Sequence, residues 1–170
     1  DEGIFVNPSN ITLDQWMIRY LDKYKKPFIA ITTYDNYKNR YNAYLKEKLG
    51  MLPLQQLTPF HIEDLLSDLR INGGIRKKDG LSENTLKKIY VLLNQAMEKA
   101  KNLRLIKQNP CEPIDSPQTV KKDIKALSMP EVNKLLRATK DDFFLYSFIM
   151  FGIKTGMRKS EILGLEWKDV

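Results

Sequence analysis

The chain has 170 residues, 42% hydrophobic and 29% charged, proportions of an ordinary globular protein that exclude wholesale disorder and suit one large domain or two small ones. The net charge is +7, and the excess lies in front: residues 1–110 hold 18 Lys and Arg against 12 Asp and Glu, residues 111–170 hold 10 against 9. One cysteine, Cys111, excludes an intrachain disulfide and a cysteine-based zinc site; one histidine, His61, sets no metal-ligand spacing; and no apolar run reaches the ~18 residues of a membrane span.

Residues 1–10 read as an extended lead-in whose acidic start, Asp1-Glu2-Gly3-Ile4, is no signal peptide. Thr12-Leu13-Asp14-Gln15 then makes a capping box. Leu13, Trp16, Met17, Tyr20, Leu21 and Tyr24 recur at helical spacing, which predicts a helix over 13–25 ended by Pro27. A second helix is predicted from Thr33 to Leu49, closed by Gly50. Its stripe holds Tyr34, Tyr37, Tyr41 and Tyr44, either a binding surface or core with hydroxyls reaching the edge. Thr58-Pro59 starts a third helix, with proline at the first position and Ile62, Leu65, Leu66 and Leu69 on its buried face. His61, in its first turn, reads as a surface or packing residue.

Residues 72–80, with glycine at both ends, form a loop or small hairpin, and Arg76, Lys77 and Lys78 at its tip either touch phosphates or are solvated. Ser82 caps a long fourth helix over residues 83–104. Leu86, Ile89, Leu93, Ala96, Met97, Ala100 and Leu103 form its core stripe. Asn84, Lys87, Lys88, Val91, Asn94 and Gln95 lie away from it, a set whose long basic and amide side chains suit phosphates and base edges. Pro110, Pro113 and Pro117 forbid helix and mark an interdomain linker, followed by Lys121, Lys122 and Lys125.

A second capping box, Ser128-Met129-Pro130-Glu131, opens the rear part, with Val132, Leu135 and Leu136 on its apolar side. The next helix, over residues 141–154, is apolar nearly all round, the pattern of a helix central in a core. Gly156 is expected to end it in a left-handed cap, and Arg158 to open a last helix through Leu165. There the guanidinium and the positive end of a helix would favour an anion, phosphate above all, with Glu161 bonding the local backbone or the arginine. The plainer alternative is an arginine paired to Glu161 and nothing more. No strand pattern or internal repeat is present.

Thr155-Gly156-Met157-Arg158-Lys159-Ser160-Glu161-Ile162-Leu163-Gly164-Leu165-Glu166-Trp167-Lys168-Asp169 resembles the first catalytic-arginine box of the tyrosine recombinases, the phage integrase family. Residues 81–110 resemble the last long helix and exit of that family's core-binding domain, and Leu127–Val132 the start of its catalytic domain. The resemblance implies an all-α chain. Residues 1–112 would form a four-helix SAM-like core-binding domain with its lead-in, 113–126 the proline-containing linker, and 127–170 the first helices of a truncated catalytic domain.

It further implies an enzyme family that cuts and rejoins DNA through a 3′-phosphotyrosine without metal or other cofactor. Arg158 matches the arginine on the scissile phosphate, and Glu161 the acidic residue supporting it. The later lysine, the His-x-x-Arg box and the tyrosine nucleophile have no match in residues 1–170, so these are expected to bind DNA without cleaving it, as part of a longer intracellular protein that does both. The second and fourth helices would face the major groove of double-stranded DNA at an attachment or crossover site. Lys38, Arg40, Lys46, Lys87, Lys88 and Asn94 are the expected contacts. The resemblance implies a tetramer on DNA for the longer protein, a monomer for residues 1–170, no membrane, and a cytoplasmic protein of bacterial, phage or mobile-element origin. A non-catalytic helical DNA-binding regulator and a helical interaction module are the competing readings.

Overall fold

A computed structural model describes residues 10–74, 79–119 and 125–169. The chain divides into two compact units, residues 1–121 and 122–170. Among the described residues there is no strand; a single antiparallel bridge joins Thr12 to Pro53.

The first unit is built on α1 (Leu13–Tyr20), α2 (Ile31–Tyr44), α3 (Lys46–Leu49), α4 (Pro59–Asn72) and α5 (Glu83–Asn102). The predicted capping box forms at α1: the Gln15 N–H donates to Thr12 Oγ1 at 3.3 Å, and the Thr12 N–H to Gln15 Oε1 at 3.1 Å. Two more N–H groups of the first turn, on Leu13 and Asp14, reach the carbonyls of Leu52 and Gly50, each at 2.9 Å. Such donors have no partner inside their own helix, so the 50–52 turn completes the start of α1. Beyond Tyr20 the chain does not stop. It widens into a π-turn, Leu21–Lys25, then tightens into a 3-10 turn, Lys26–Phe28, that accommodates Pro27.

The predicted second helix is two. It breaks at Leu45, where φ is −107° and ψ −40°, and both Leu45 and Leu49 are buried beyond the break. The tyrosine stripe divides as well. Tyr34 and Tyr41 are core, and their hydroxyls donate to Asp22 at 2.5 Å and Asp14 at 2.7 Å. Tyr37 and Tyr44 are half-buried. In α4 the predicted face of Ile62, Leu65, Leu66 and Leu69 is buried. His61 caps that helix: its Nδ1 lies 3.2 Å from the Thr58 N–H donor nitrogen, and so accepts. Arg70 of α4 holds Glu83 of α5 through two nitrogens, at 2.7 and 3.3 Å. Gly80 lies so close to the Arg70 carbonyl that no side chain fits there. Arg76, Lys77 and Lys78, singled out in the sequence, lie outside the described residues, as do Lys121 and Lys122.

The core centres on α5, which buries Leu86, Ile89, Tyr90, Leu92, Leu93, Ala96, Met97 and Ala100. Leu103, expected on this stripe, is instead 41% exposed, because the helix ends at Asn102 and the chain turns away. That turn is a Schellman motif: the N–H of Arg104 donates to the Lys101 carbonyl at 2.9 Å and that of Leu105 to the Ala100 carbonyl at 3.0 Å. Arg104 therefore sits at φ 57°, a left-handed conformation that costs a residue with a Cβ roughly 1–2 kcal/mol. Arg104→Gly is expected to raise stability by about 0.5–1 kcal/mol, the relief of strain less glycine's greater unfolded entropy. Urea unfolding checks it, and a lower midpoint would refute the assignment of strain.

The proline-containing exit is not free of this unit at first. Cys111 and Ile114 are buried, although residue 114 falls within the expected linker. The Tyr90 hydroxyl lies 3.0 Å from both their carbonyls. Asn109, the buried polar residue of the core, commits its amide to Asn94 at 2.7 Å and Glu98 at 3.0 Å, and its carbonyl oxygen accepts from the Cys111 N–H at 2.9 Å. Backbone and side chain are thus paired where the chain leaves α5. Burial pushes the Cys111 thiol up to about 12, so it is held as an unreactive thiol.

The second unit holds α6 (Met129–Ala138), α7 (Phe143–Thr155) and α8 (Lys159–Leu163). The Ser128–Glu131 box forms, with the Ser128 N–H 2.8 Å and its hydroxyl 2.6 Å from Glu131 Oε2. Gly156 ends α7 at φ 69°, the expected left-handed cap. Two expectations fail. Helix α8 stops at Leu163, not Leu165, and a 3-10 turn, Trp167–Asp169, follows. And α7 is not central in a core: Phe143 is 84% and Phe144 72% exposed, and none of the unit's described residues is buried. In this unit α7 packs against α6 and α8, and its all-round hydrophobicity is not matched by cover among the described residues.

Candidate nucleic-acid interface

Helices α2 and α5 lie against one another in the first unit and form a groove lined by Tyr37, Arg40, Asn84, Lys87, Lys88 and Val91. Arg40 approaches the Tyr37 ring, its guanidinium carbon 6.0 Å from the centroid. Lys88 is exposed and Lys87 half-buried, so their stems pack while their ammonium groups reach outward. No described carboxylate lies within ion-pair distance of these three cations. Three of the six expected contacts are thus brought together. Lys38 is exposed on α2, outside the groove. Lys46 opens α3 and lies 3.5 Å from Asp14. Asn94 points its oxygen at Asn109, which gives it a structural partner.

Beside the groove are cations that the sequence pattern did not single out. Lys25, from the π-turn, donates to Gln95 Oε1 at 2.9 Å and lies 5.5 Å from the Tyr20 ring and 6.0 Å from the Tyr37 ring. Lys99 lies 4.8 Å from the Tyr24 ring. The available signal was spacing: Lys88, Val91, Gln95 and Lys99 follow one another by three or four residues along α5.

In the second unit Arg158 is the N-cap of α8, one residue before its first turn. Glu161 holds it twice: Oε2 accepts from the Arg158 N–H at 2.7 Å and Oε1 from Nη1 at 2.9 Å. These two bonds, backbone first, pull the Glu161 carboxyl below the usual carboxylate range. The arginine side chain remains 82% exposed, with the rest of its planar fork open to an anion. Helix α8 has only 5 residues, so its dipole adds little and the guanidinium carries the site. The tyrosines of the core are poor nucleophile candidates. Burial, with a smaller push from Tyr37, raises the Tyr20 phenol to about 12, and burial also raises Tyr41 and Tyr90; the hydrogen bond to Asp22 raises Tyr34.

Known proteins share this architecture. The family described as phage integrase, N-terminal SAM-like domain, matches residues 12–70. The phage integrase SAM-like domain from Moorella thermoacetica is 30% identical, covers 71% of this chain and is itself 97% covered, with a TM-score of 0.51. The chain belongs to the phage integrase family. The ICEBs1 integrase of Bacillus subtilis is 25% identical over 138 residues, 81% of this chain but only 36% of that protein. The chain thus spans little over a third of this curated relative's length. A lambda integrase dimer bound to a COC′ core site shares the fold over 94% of this chain with a TM-score of 0.79 at 22% identity. Lambda integrase is also known as a tetramer bound to a Holliday junction. No described helix of the present chain is long and apolar enough to cross a membrane.

Proposed function

We propose that residues 1–170 are the DNA-gripping part of a site-specific recombinase, with a core-binding domain over 1–112, a linker over 113–126, and the start of a catalytic domain over 127–170. The longer protein cuts and rejoins double-stranded DNA at an attachment or crossover site through a 3′-phosphotyrosine, in the cytoplasm of a bacterium and as a tetramer on DNA. Residues 1–170 are monomeric and bind without cutting. The observation that carries this reading is the groove in which Arg40 of α2 meets Lys87 and Lys88 of α5 with no neutralising carboxylate among the described residues. Cations held on one face but not ion-paired release counterions when they meet a polyphosphate. Arg158 supplies an oriented, exposed guanidinium for a phosphoryl group, and Glu161 fixes its direction. The lone His61, followed by Ile62-Glu63-Asp64 and committed to capping α4, offers no His-x-x-Arg box.

Duplex affinity measured at several salt concentrations tests the reading. Affinity should fall steeply with salt, and the combined Arg40→Gln, Lys87→Gln, Lys88→Gln variant should flatten the log–log slope by up to about 2.7, near 0.9 for each lost phosphate contact. A salt-independent affinity, or no duplex binding at low salt, would exclude it.

A further inference from the structure

We propose that the DNA track does not end at the α2–α5 groove but crosses the Lys25–Gln95 bridge into a second basic site, where Lys25 and Lys99 contact phosphates of the same duplex. This rests on the DNA-binding reading and extends it to residues of the α1 end and the second half of α5.

Two sets of cations with a fixed neighbour occur among the described residues of the first unit. Lys46, Lys48, Arg70 and Lys101 are paired with carboxylates, on Asp14, Asp68, Glu83 and the pair Glu98 and Glu112. Lys25, Lys26, Arg40 and Lys99 are instead placed over tyrosine rings, at 4.8–6.0 Å from the centroids. The difference is chemical. A carboxylate neutralises its partner, whereas the face of a ring orients a cation and leaves its full charge available. The second set is therefore pre-positioned and, among the described residues, without an ion-pair partner.

Their placement forms a continuous face. Tyr37 is shared: Arg40 and Lys25 approach the same ring. Beyond the Lys25–Gln95 hydrogen bond lies a second groove, lined by Tyr20, Tyr24, Lys25, Phe28, Gln95 and Lys99 among others. The carboxylate of that groove, Glu98, accepts from Asn109 at 3.0 Å and lies 4.0 Å from Lys101, which draws it toward the exit rather than toward Lys99. The π-turn Leu21–Lys25 has a role here. Such a widened turn shifts the residues that follow it around the axis, and it places both Tyr24 and Lys25 at this groove. From Lys88 to Lys99 the face runs about 16 Å along α5, a length of duplex carrying roughly nine phosphates.

The test uses residues 1–170 and a duplex. Lys25→Gln with Lys99→Gln should flatten the log–log salt slope by about 1.8, so that the affinity lost between 50 and 200 mM salt shrinks roughly tenfold relative to the unaltered chain. Lys107→Gln, which removes one charge in the separate groove beside Leu54 and Ile106, serves as the control and should leave the slope unchanged. Unchanged thermal unfolding of each variant shows that the fold is intact. If the unaltered chain binds duplex with a steep slope and the double variant keeps that slope, the second site is refuted while the groove stands. The second site is equally refuted if Lys107→Gln flattens the slope as much per charge. If the unaltered chain binds no duplex, both ideas fall together.

Discussion

Replacing Trp16 with alanine is expected to cost the first unit about 3–5 kcal/mol, the range for removing a buried tryptophan whose cavity the surroundings fill only partly. Trp16 is 1% exposed, and its indole N–H donates 3.0 Å to the Ala96 carbonyl on α5, 80 residues away. It is the residue through which α1 is keyed to the central helix. Its ring also begins an aromatic run, 6.1 Å from Tyr20 and 6.2 Å from Tyr24. A domain at the lower end of the usual range of about 5–15 kcal/mol retains little after such a loss. Trp16→Phe separates the contributions, because it keeps most of the packing and removes the hydrogen bond, for about 0.5–1.5 kcal/mol beyond the small volume change. Urea unfolding of both variants checks this. A Trp16→Ala loss under about 1 kcal/mol would mean that α1 is not keyed to α5 as the geometry indicates.

The consequence reaches the proposed DNA face. Lys25, Tyr20 and Tyr24 all follow Trp16 on the same continuous helical run, and Tyr20 and Lys25 help define the second basic groove. Loosening α1 from α5 removes the support that sets Lys25 beside Gln95. Stability and the proposed DNA grip are linked here through one packing contact.

What the sequence made legible follows from where each signal is written. The starts of α1, α4, α5 and α6 were readable because their caps are local: Thr12 with Gln15, Thr58 before Pro59, Ser82, and Ser128 with Glu131. The left-handed end of α7 was readable because glycine at 156 has one common use after an apolar helix. The groove was only half readable. That Lys87 and Lys88 leave the core stripe is a matter of period, but that they meet Arg40 and not Lys38 depends on the register of α2 against α5, which no local pattern states. The structural partner of Asn94 was hidden for the same reason. That partner, Asn109, lies 15 residues on, past a Schellman turn at Arg104 that no glycine announces. The over-reading of α7 has another cause. Hydrophobicity on every face says that a helix is suited to burial, not that these three helices bury it.

Arg158→Ala is expected to lower covalent adduct formation by the proposed longer recombinase on suicide crossover DNA by about 10²–10³-fold, the scale of losing one preorganised donor to charge that grows in the transition state. The arginine meets the conditions for such a role. It is exposed, its backbone N–H and one guanidinium nitrogen are fixed by Glu161, and the remainder of a planar fork is presented outward. Arg158→Lys should recover little, because an ammonium is a point charge that cannot hold two phosphoryl oxygens in one plane. Glu161→Gln should fall between, since the amide oxygen can still accept from the Arg158 backbone N–H, while the amide NH2 is a donor and releases Nη1. Binding by residues 1–170 behaves differently. There Arg158→Ala removes at most one phosphate contact, a change in salt slope of about 0.9, while the α2–α5 groove still grips the duplex. Adduct yield within a few-fold of normal for Arg158→Ala would leave the arginine as a helix cap paired to Glu161, with no part in phosphoryl transfer.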